Sequence, residues 1–167
     1  DSSLNSVFSE DSPTKPSSPY GETKISVEKM RFDIYIEKEK NRNSWRIINL
    51  RYFNPVGAHP SGLLGEDPIG KPNNLFPYIS QVATGRKKYL HIYGNDWPTR
   101  DGTAVRDYIH IMDLAKAHSK SLDYLFKNDK VYLNLNIGTE IGTTVLELVR
   151  NFEKVNKCFI PFKIVPR

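Results

Sequence analysis

The sequence has only one cysteine, Cys158, among its 167 residues. A single thiol cannot form an intramolecular disulfide, and it excludes a zinc site built from several thiolates. No apolar run approaches the roughly 18 residues that a membrane-spanning helix needs. The N-terminal stretch DSSLNSVFSEDS lacks the basic start and apolar centre of a signal peptide. These absences predict a cytoplasmic protein with no membrane partner.

An initiator methionine and a glycine-rich nucleotide-binding loop are also missing. No G-x-G-x-x-G or G-x-x-G-x-x-G motif follows a predicted strand anywhere in the chain. If the chain belongs to a dinucleotide-binding enzyme, the first half of the cofactor-binding fold is absent from it. The sequence is therefore predicted to be a fragment of a longer protein.

The charge is positive but diffuse. The formal net charge is +5, yet the basic residues are spread along the chain without a known nucleic-acid motif. Nucleic acid is therefore not predicted as a partner, and a basic nucleic-acid binder remains only a third alternative. The same diffuse charge suits a small ligand that carries phosphate.

Apolar periodicity predicts strands that alternate with helices, which indicates an α/β fold with some parallel pairing. The first predicted helix has an apolar stripe of Val27, Met30 and Ile34 and is broken at residues 41–44. The next strand, WRIINLRYF, is predicted to be apolar and buried, and a long loop rich in Pro and Gly follows it. The predicted helices span residues 20–40, 75–85, 112–126 and 143–156, the last capped by Thr143 or Thr144, and the predicted strands span 45–53, 89–94, 108–111, 131–138 and 162–167.

Tyr20 and Lys24 are four residues apart at the start of the first predicted helix, in SPYGETK. This spacing places both side chains on one face, about one turn apart. A neighbouring ammonium favours the phenolate, which could then exchange a proton with a hydroxyl group. The alternative is an ordinary tyrosine on a surface helix.

Four longer segments carry a resemblance to a known family. They are PYGETK, LRYFNPVGAHPSGLLGEDPIGKPNNLFPYISQVATGR, IYGNDWPTRDGTAVRDYIHIMDLAKAH and LNIGTEIGTTVLEL. In this order they resemble the UDP-glucose 4-epimerases, members of the extended short-chain dehydrogenase/reductase family. The similarity covers essentially the whole chain, which corresponds to roughly the middle half of such an enzyme.

The resemblance implies roles for nine residues. Tyr20 matches the catalytic tyrosine, which also contacts the cofactor and the sugar, and Lys24 matches the lysine that binds the nicotinamide ribose of tightly held NAD. Phe53 matches a residue that packs near the nicotinamide. The positions that match UDP-binding residues are Asn54 and Arg106 at the diphosphate, Asn74 and Leu75 at the UDP, and His91 and Tyr93 along the uracil.

Each of these residues also has a structural alternative. Phe53, Leu75 and Tyr93 could be core residues, and Asn54 before Pro55 suits a turn. Arg106 could form a surface ion pair with Asp107. The four histidines, His59, His91, His110 and His118, have no pattern of carboxylates or thiols around them, so no metal site is predicted.

The resemblance implies an α/β chain that combines the second part of a Rossmann-type NAD-binding domain with most of a smaller substrate-binding domain. The predicted division assigns residues 1–60 to the NAD-binding domain, 61–130 mainly to the UDP-sugar region, and 131–167 to an interleaved, truncated C-terminal region. The upstream Ser or Thr and acidic ribose partner of the family, and its second phosphate-binding arginine, lie outside this sequence.

The implied activity is interconversion of UDP-galactose and UDP-glucose through a 4-keto intermediate, by a homodimer in its full-length form. The fragment alone is predicted to be inactive. The alternatives are another nucleotide-sugar epimerase or 4,6-dehydratase, and a non-catalytic nucleotide-sugar-binding member of the same fold.

Overall fold

A computed structural model describes residues 7–40 and 45–167, without the side chains of residues 38–40. The predicted helix break at 41–44 and the start of the predicted N-terminal loop lie outside the described residues. No helix in this part of the chain is long and apolar enough to cross a membrane.

Four helices and seven strands follow one another along the described chain, which confirms the predicted α/β class. The helices are α1 (Pro19–Lys40), α2 (Leu75–Ala83), α3 (Ile111–Lys127) and α4 (Val145–Asn156). The strands are β1 (Arg46–Tyr52), β2 (Asn54–Val56), β3 (Leu90–Tyr93), β4 (Val105–His110), β5 (Val131–Ile137), β6 (Gly142–Thr144) and β7 (Phe162–Val165).

The described residues form two compact units. Unit I contains residues 7–40, 45–52 and 113–137, and unit II contains residues 53–112 and 138–167. The predicted domain division at residues 60 and 130 rests on the resemblance and stays a prediction.

In unit I, β1 pairs in parallel with β5, from Arg46 opposite Val131 to Tyr52 opposite Ile137. The strand is not apolar on both faces as predicted, because its one buried position is Asn49, which is 4% exposed. The Asn49 amide donates to the Tyr132 hydroxyl at 3.1 Å and accepts from the Arg31 guanidinium at 2.9 Å. Hydrogen bonds therefore compensate for the burial of this polar side chain.

The same network shows which face of α1 meets the strands. Glu28 forms an ion pair with Arg51 of β1, and its backbone carbonyl accepts from the Tyr132 hydroxyl at 3.1 Å. The predicted apolar stripe is consequently not the buried face, because Val27 and Met30 remain exposed. These polar contacts, rather than the predicted apolar stripe, orient the helix.

Unit II contains two small sheets and an apolar core. β4 pairs in parallel with β2 and antiparallel with β6, and β3 pairs in parallel with β7. The core lies between α2, β3 and α4, and its buried residues are Ile79, Val82, Leu90, Ile92, Val149 and Ile160. Burial of this apolar surface is the main force that holds these elements together.

Several predicted boundaries in unit II need correction. β4 begins at Val105, three residues before the predicted strand, and the short strands β2 and β6 were not predicted at all. Of the two predicted caps, only Thr144 directly precedes α4, and it is also the last residue of β6. The Thr144 hydroxyl accepts from the Glu147 N–H at 3.0 Å, and the Glu147 carboxylate accepts from the Thr144 N–H at 2.9 Å, which is a capping box.

Candidate functional site

The Tyr20–Lys24 pair lies in the first two turns of α1, in unit I. Pro19 begins the helix, and the Ser18 hydroxyl accepts from the Gly21 N–H at 3.2 Å, as a capping residue does. The Tyr20 side chain is 72% exposed, and the Lys24 ammonium lies 5.0 Å from the centre of its ring. The predicted juxtaposition is therefore confirmed.

This geometry suits proton exchange with a bound hydroxyl group. The exposed position of Tyr20 leaves its phenol oxygen accessible to a ligand, and the Lys24 cation lies beside the same ring. The ammonium also retains hydrogen-bond donors for ligand oxygens. The roles themselves remain predictions.

A cavity of about 660 Å³ lies in unit II. It brings together all six of the predicted residues for the UDP part, which are Asn54, Asn74, Leu75, His91, Tyr93 and Arg106. These positions are spread over more than fifty residues of sequence, so only the fold makes them neighbours.

Two adjacent strands supply one wall of this cavity. Asn54 of β2 pairs with Tyr108 of β4, and Arg106 is two residues earlier on β4. Burial raises the pKa of Tyr108, while the charge of Arg106 opposes that increase. A phenol that stays protonated and a guanidinium can both donate hydrogen bonds to an anionic ligand.

The predicted alternative of an ion pair between Arg106 and Asp107 is wrong. The Asp107 carboxylate instead accepts from the N–H and hydroxyl of Thr139, at 2.8 and 2.7 Å, and from the Glu140 N–H at 3.0 Å. The Arg106 guanidinium donates to the neighbouring Val105 carbonyl at 2.7 Å. Its remaining donors can therefore serve phosphate oxygens.

Asn74 occupies the position before the first turn of α2. Its backbone is extended, and its side chain makes no capping hydrogen bond to the helix, but donates weakly to Glu66 at 3.4 Å. Leu75 begins the helix and is half-buried beside the core. The amide of Asn74 and the first N–H groups of α2 are thus suited to bind an anionic or polar ligand.

The short strand β3 supplies another wall. Leu90 and Ile92 are buried in the core, whereas His91 and Tyr93 are exposed, and all four residues line the cavity. Alternation of side chains along a strand explains this division. Tyr93 is thus a cavity residue rather than a core residue.

Phe53 does not line the cavity. It packs closely over Gly138, where an added Cβ atom would lie 2.6 Å from Phe53 Cδ2 and 2.5 Å from an Asp107 carboxylate oxygen. The predicted contact of Phe53 with a nicotinamide ring stays a prediction.

Three lysines of the cavity wall were not predicted. Lys71, Lys87 and Lys88 line the cavity with Arg106, and no Asp or Glu is among its described lining residues. The signal was present as the basic tripeptide RKK at residues 86–88, although the basic residues as a whole are spread along the chain. The wall is therefore cationic, as a phosphate-binding site requires.

No group of three or more His, Cys, Asp or Glu side chains that could hold a metal ion occurs in the described part of the chain. His59 and His110 instead have local contacts. The His59 ring lies 2.7 Å from the Ser61 hydroxyl, and the His110 ring accepts from the Met112 N–H at 3.2 Å.

Comparison with known proteins identifies the family. The family model described as GDP-mannose 4,6 dehydratase matches residues 2–158. The chain belongs to this family. Its similarity to individual proteins is more specific: it is 54% identical over 164 residues to UDP-glucose 4-epimerase 2 of Oryza sativa subsp. japonica. That alignment covers 98% of this chain and 39% of the rice protein.

Solved structures show the same relationship. The UDP-glucose 4-epimerase of Bifidobacterium longum, crystallised with NAD+ and UDP, is 45% identical with a TM-score of 0.89, over 98% of this chain and 48% of that one. The enzyme of Stenotrophomonas maltophila, crystallised with NAD and formylated UDP-arabinopyranose, is 46% identical with a TM-score of 0.86, over 95% and 46%.

These likenesses confirm the predicted resemblance and the Rossmann-type α/β class. The chain spans less than half the length of the relatives that it matches.

Proposed function

We propose that the protein containing this chain is an NAD-dependent UDP-glucose 4-epimerase, which interconverts UDP-galactose and UDP-glucose. The observation that carries the proposal is the cavity of unit II. It combines Asn54, Asn74 and Arg106 with other predicted UDP-binding side chains, and its lining is cationic. The family relationship and the epimerase names of the relatives support the same activity.

In this proposal the Tyr20 side-chain oxygen takes the proton of the sugar 4-hydroxyl and returns it when the hydroxyl is restored, with the Lys24 ammonium beside the ring. The substrate passes through a 4-keto sugar, whose ring must turn before the hydroxyl is restored with the opposite configuration. The side chains of the cavity would hold the UDP part during this turn. Binding energy from the contacts with UDP would then help to stabilise the transition state at the sugar.

The cofactor assignment rests on the donor set around the Tyr20–Lys24 pair. The Lys24 ammonium is exposed, close to the phenol, and provides the donors that ribose hydroxyls need. Lys24, Tyr20 and Phe53 would contact the nicotinamide end of NAD. Bound NAD would accept the hydride from C4 of the sugar and return it. The NAD-bound structures of relatives agree with this assignment.

The activity is tested with the full-length protein, by supplying UDP-galactose and following UDP-glucose. Tyr20→Phe should lower turnover by at least about a hundredfold, the usual scale for a positioned acid or base. Tyr124→Phe removes an exposed phenol hydroxyl from α3 and serves as the matched control. Near-normal turnover in the Tyr20 variant would contradict the assigned role.

A nucleotide-sugar 4,6-dehydratase is the second candidate, because the family model that matches the chain carries that description. Another nucleotide-sugar epimerase and a non-catalytic sugar-nucleotide binder are further alternatives. A dehydratase would release a stable 4-keto-6-deoxy sugar, another epimerase would require a different sugar, and a non-catalytic protein would bind without turnover. Product analysis by NMR distinguishes these outcomes.

The 167 residues alone are proposed to be inactive, because they contain no glycine-rich motif for the NAD pyrophosphate. Interconversion by the isolated, cooperatively folded chain would disprove this.

The full-length protein is proposed to be a cytoplasmic homodimer that binds neither nucleic acid nor membrane. Exposed Val27 and Met30 on α1 are consistent with a face that a partner covers, and sedimentation of the full-length protein tests the dimer.

A further inference from the structure

Three exposed lysines line the UDP-sugar cavity of unit II and are here called the lysine rim. They are Lys71, in the loop before α2, and Lys87 and Lys88, in the loop between α2 and β3. All three are exposed to solvent. None of them matches a residue to which the family resemblance assigned a role.

The charges of the lysine rim are not neutralised by acidic side chains among the described residues, where no ion pair involves them. The neighbouring Arg86 differs, because its guanidinium lies 3.0 and 3.2 Å from the two carboxylate oxygens of Asp67. Within the basic tripeptide at residues 86–88, the arginine is therefore paired and the two lysines retain their charge for the cavity.

Aromatic rings help to hold two of these cations at the cavity wall. The Lys87 ammonium lies 5.3 Å from the ring centre of Tyr78, and the Lys88 ammonium lies 5.4 Å from that of Tyr89. Both tyrosines line the cavity. Such contacts attract a cation to the ring without cancelling its charge.

An exposed lysine is a weak anchor for a bound ligand, because water screens the contact and the flexible side chain loses entropy. Its charge nevertheless contributes to the field outside a cleft, and a cleft of one sign accelerates the approach of an oppositely charged ligand. We propose that the lysine rim steers the anionic diphosphate of the nucleotide sugar into the cavity and thereby sets the association rate. This proposal rests on the proposed UDP-sugar site.

The test uses the full-length protein, UDP as the probe, and stopped-flow fluorescence over a range of salt concentrations. The double variant Lys87→Gln/Lys88→Gln should lower the association rate constant about threefold to tenfold at low salt. This is part of the increase in association rate that a charged cleft gives to an oppositely charged ligand. The difference between the variant and the original protein should vanish at about 0.5 M salt, because charges then interact only over a few ångströms. The dissociation rate constant should stay within about twofold of its original value, since affinity anchors act mainly on dissociation.

The matched control is Lys120→Gln/Lys154→Gln, which removes the same net charge at exposed positions outside the cavity lining. It should leave the association rate constant within about twofold of the original value at every salt concentration. Lys71 lies in the loop before α2, and Lys71→Gln should also lower the association rate constant at low salt. Agreement of two rim variants excludes a local folding defect as the cause.

Three results would overturn the proposal. Faster dissociation with unchanged association would make the lysines direct anchors of the bound diphosphate. An equal decrease of the association rate constant in the rim and control double variants would assign the effect to the overall charge of the protein. No binding of UDP by the unsubstituted protein would instead refute the proposed function, and the steering role with it.

Discussion

The Lys24 ammonium lies 5.0 Å from the centre of the Tyr20 ring, one helical turn away in α1. If this ammonium assists the proposed proton exchange and binds the nicotinamide ribose, Lys24→Met should lower turnover of UDP-galactose at least about tenfold and weaken NAD binding, because it removes the charge and its hydrogen-bond donors. Lys24→Arg keeps the positive charge and should lose less of both. Turnover is measured at saturating NAD, and NAD binding is measured by calorimetry. Unchanged turnover and unchanged NAD affinity in the Met variant would show that Lys24 has neither role.

Arg106→Ala should weaken UDP binding by about 1.5–3 kcal/mol, the range for hydrogen bonds to charged groups. The reason is that Asp107 forms no ion pair with Arg106, because its carboxylate accepts hydrogen bonds from Thr139 and Glu140. Calorimetry should show a much smaller change for NAD. Arg150→Ala, at an exposed position of α4, is the control. Equal loss of both ligands in the Arg106 variant would mean that Arg106 supports the fold instead.

The stability of unit II should decrease in acid because of Glu147. Hydrogen bonds from Arg100, and then from the Thr144 N–H, lower the pKa of Glu147 from 4.5 to about 2. A group whose pKa is lower in the folded state contributes stability above its unfolded pKa, and this contribution is lost as pH falls through the folded pKa. The expected loss therefore lies between pH 4.5 and about 2.

Urea denaturation of the full-length protein across that pH range measures this effect. Glu147→Gln should be less stable than the original protein at neutral pH and should show a shallower dependence on acid, because it no longer has the charge that Arg100 binds. Glu22→Gln, at an exposed position of α1, should leave the slope unchanged. An identical slope in the Glu147→Gln variant and in the original protein would refute the role of the ion pair.

Gly138→Ala should destabilise the protein by about 1–3 kcal/mol, as overpacking of a tight contact does. The added Cβ atom would lie 2.6 Å from Phe53 Cδ2 and 2.5 Å from an Asp107 oxygen. Gly65→Ala is the matched control, since its Cβ atom would have only an ordinary contact of 3.6 Å with Ala58. Thermal unfolding of both variants provides the comparison. Equal melting temperatures would show that the Phe53 ring can move aside.

Sequence periodicity predicted the longer elements well because their patterns are local. Helix α2 ends near Gly85, whose positive φ closes the helix as expected, and β5 differs from its predicted end by one residue. The strands β2 and β6 escaped prediction because each has three residues, and both depend on pairing with β4. Such pairing is a tertiary property that no short window of sequence contains.

In the candidate site, too, sequence motifs identified some residues, whereas only the fold shows which residues lie together. The resemblance selected Asn54, Asn74 and Arg106, and the fold brings them to one cavity. It did not select Lys71 or Lys88, because nothing in the motif distinguishes a lysine that faces a cavity from one on a solvated surface. The buried face of α1 was also predicted wrongly, because Asn49 and Arg51 attract polar partners that apolar periodicity does not register.

The proposed proton-transfer pair and the nucleotide cavity lie in different structural units, so one can be disabled while the residues of the other are left in place. A Tyr20→Phe protein should consequently behave as a trap: it would capture sugar nucleotides without converting them. Applied to an extract of the source cells, and followed by mass spectrometry of the released ligands, such a trap would report which sugar the cavity selects among competing nucleotides. An Arg106→Ala version of the trap should recover much less ligand.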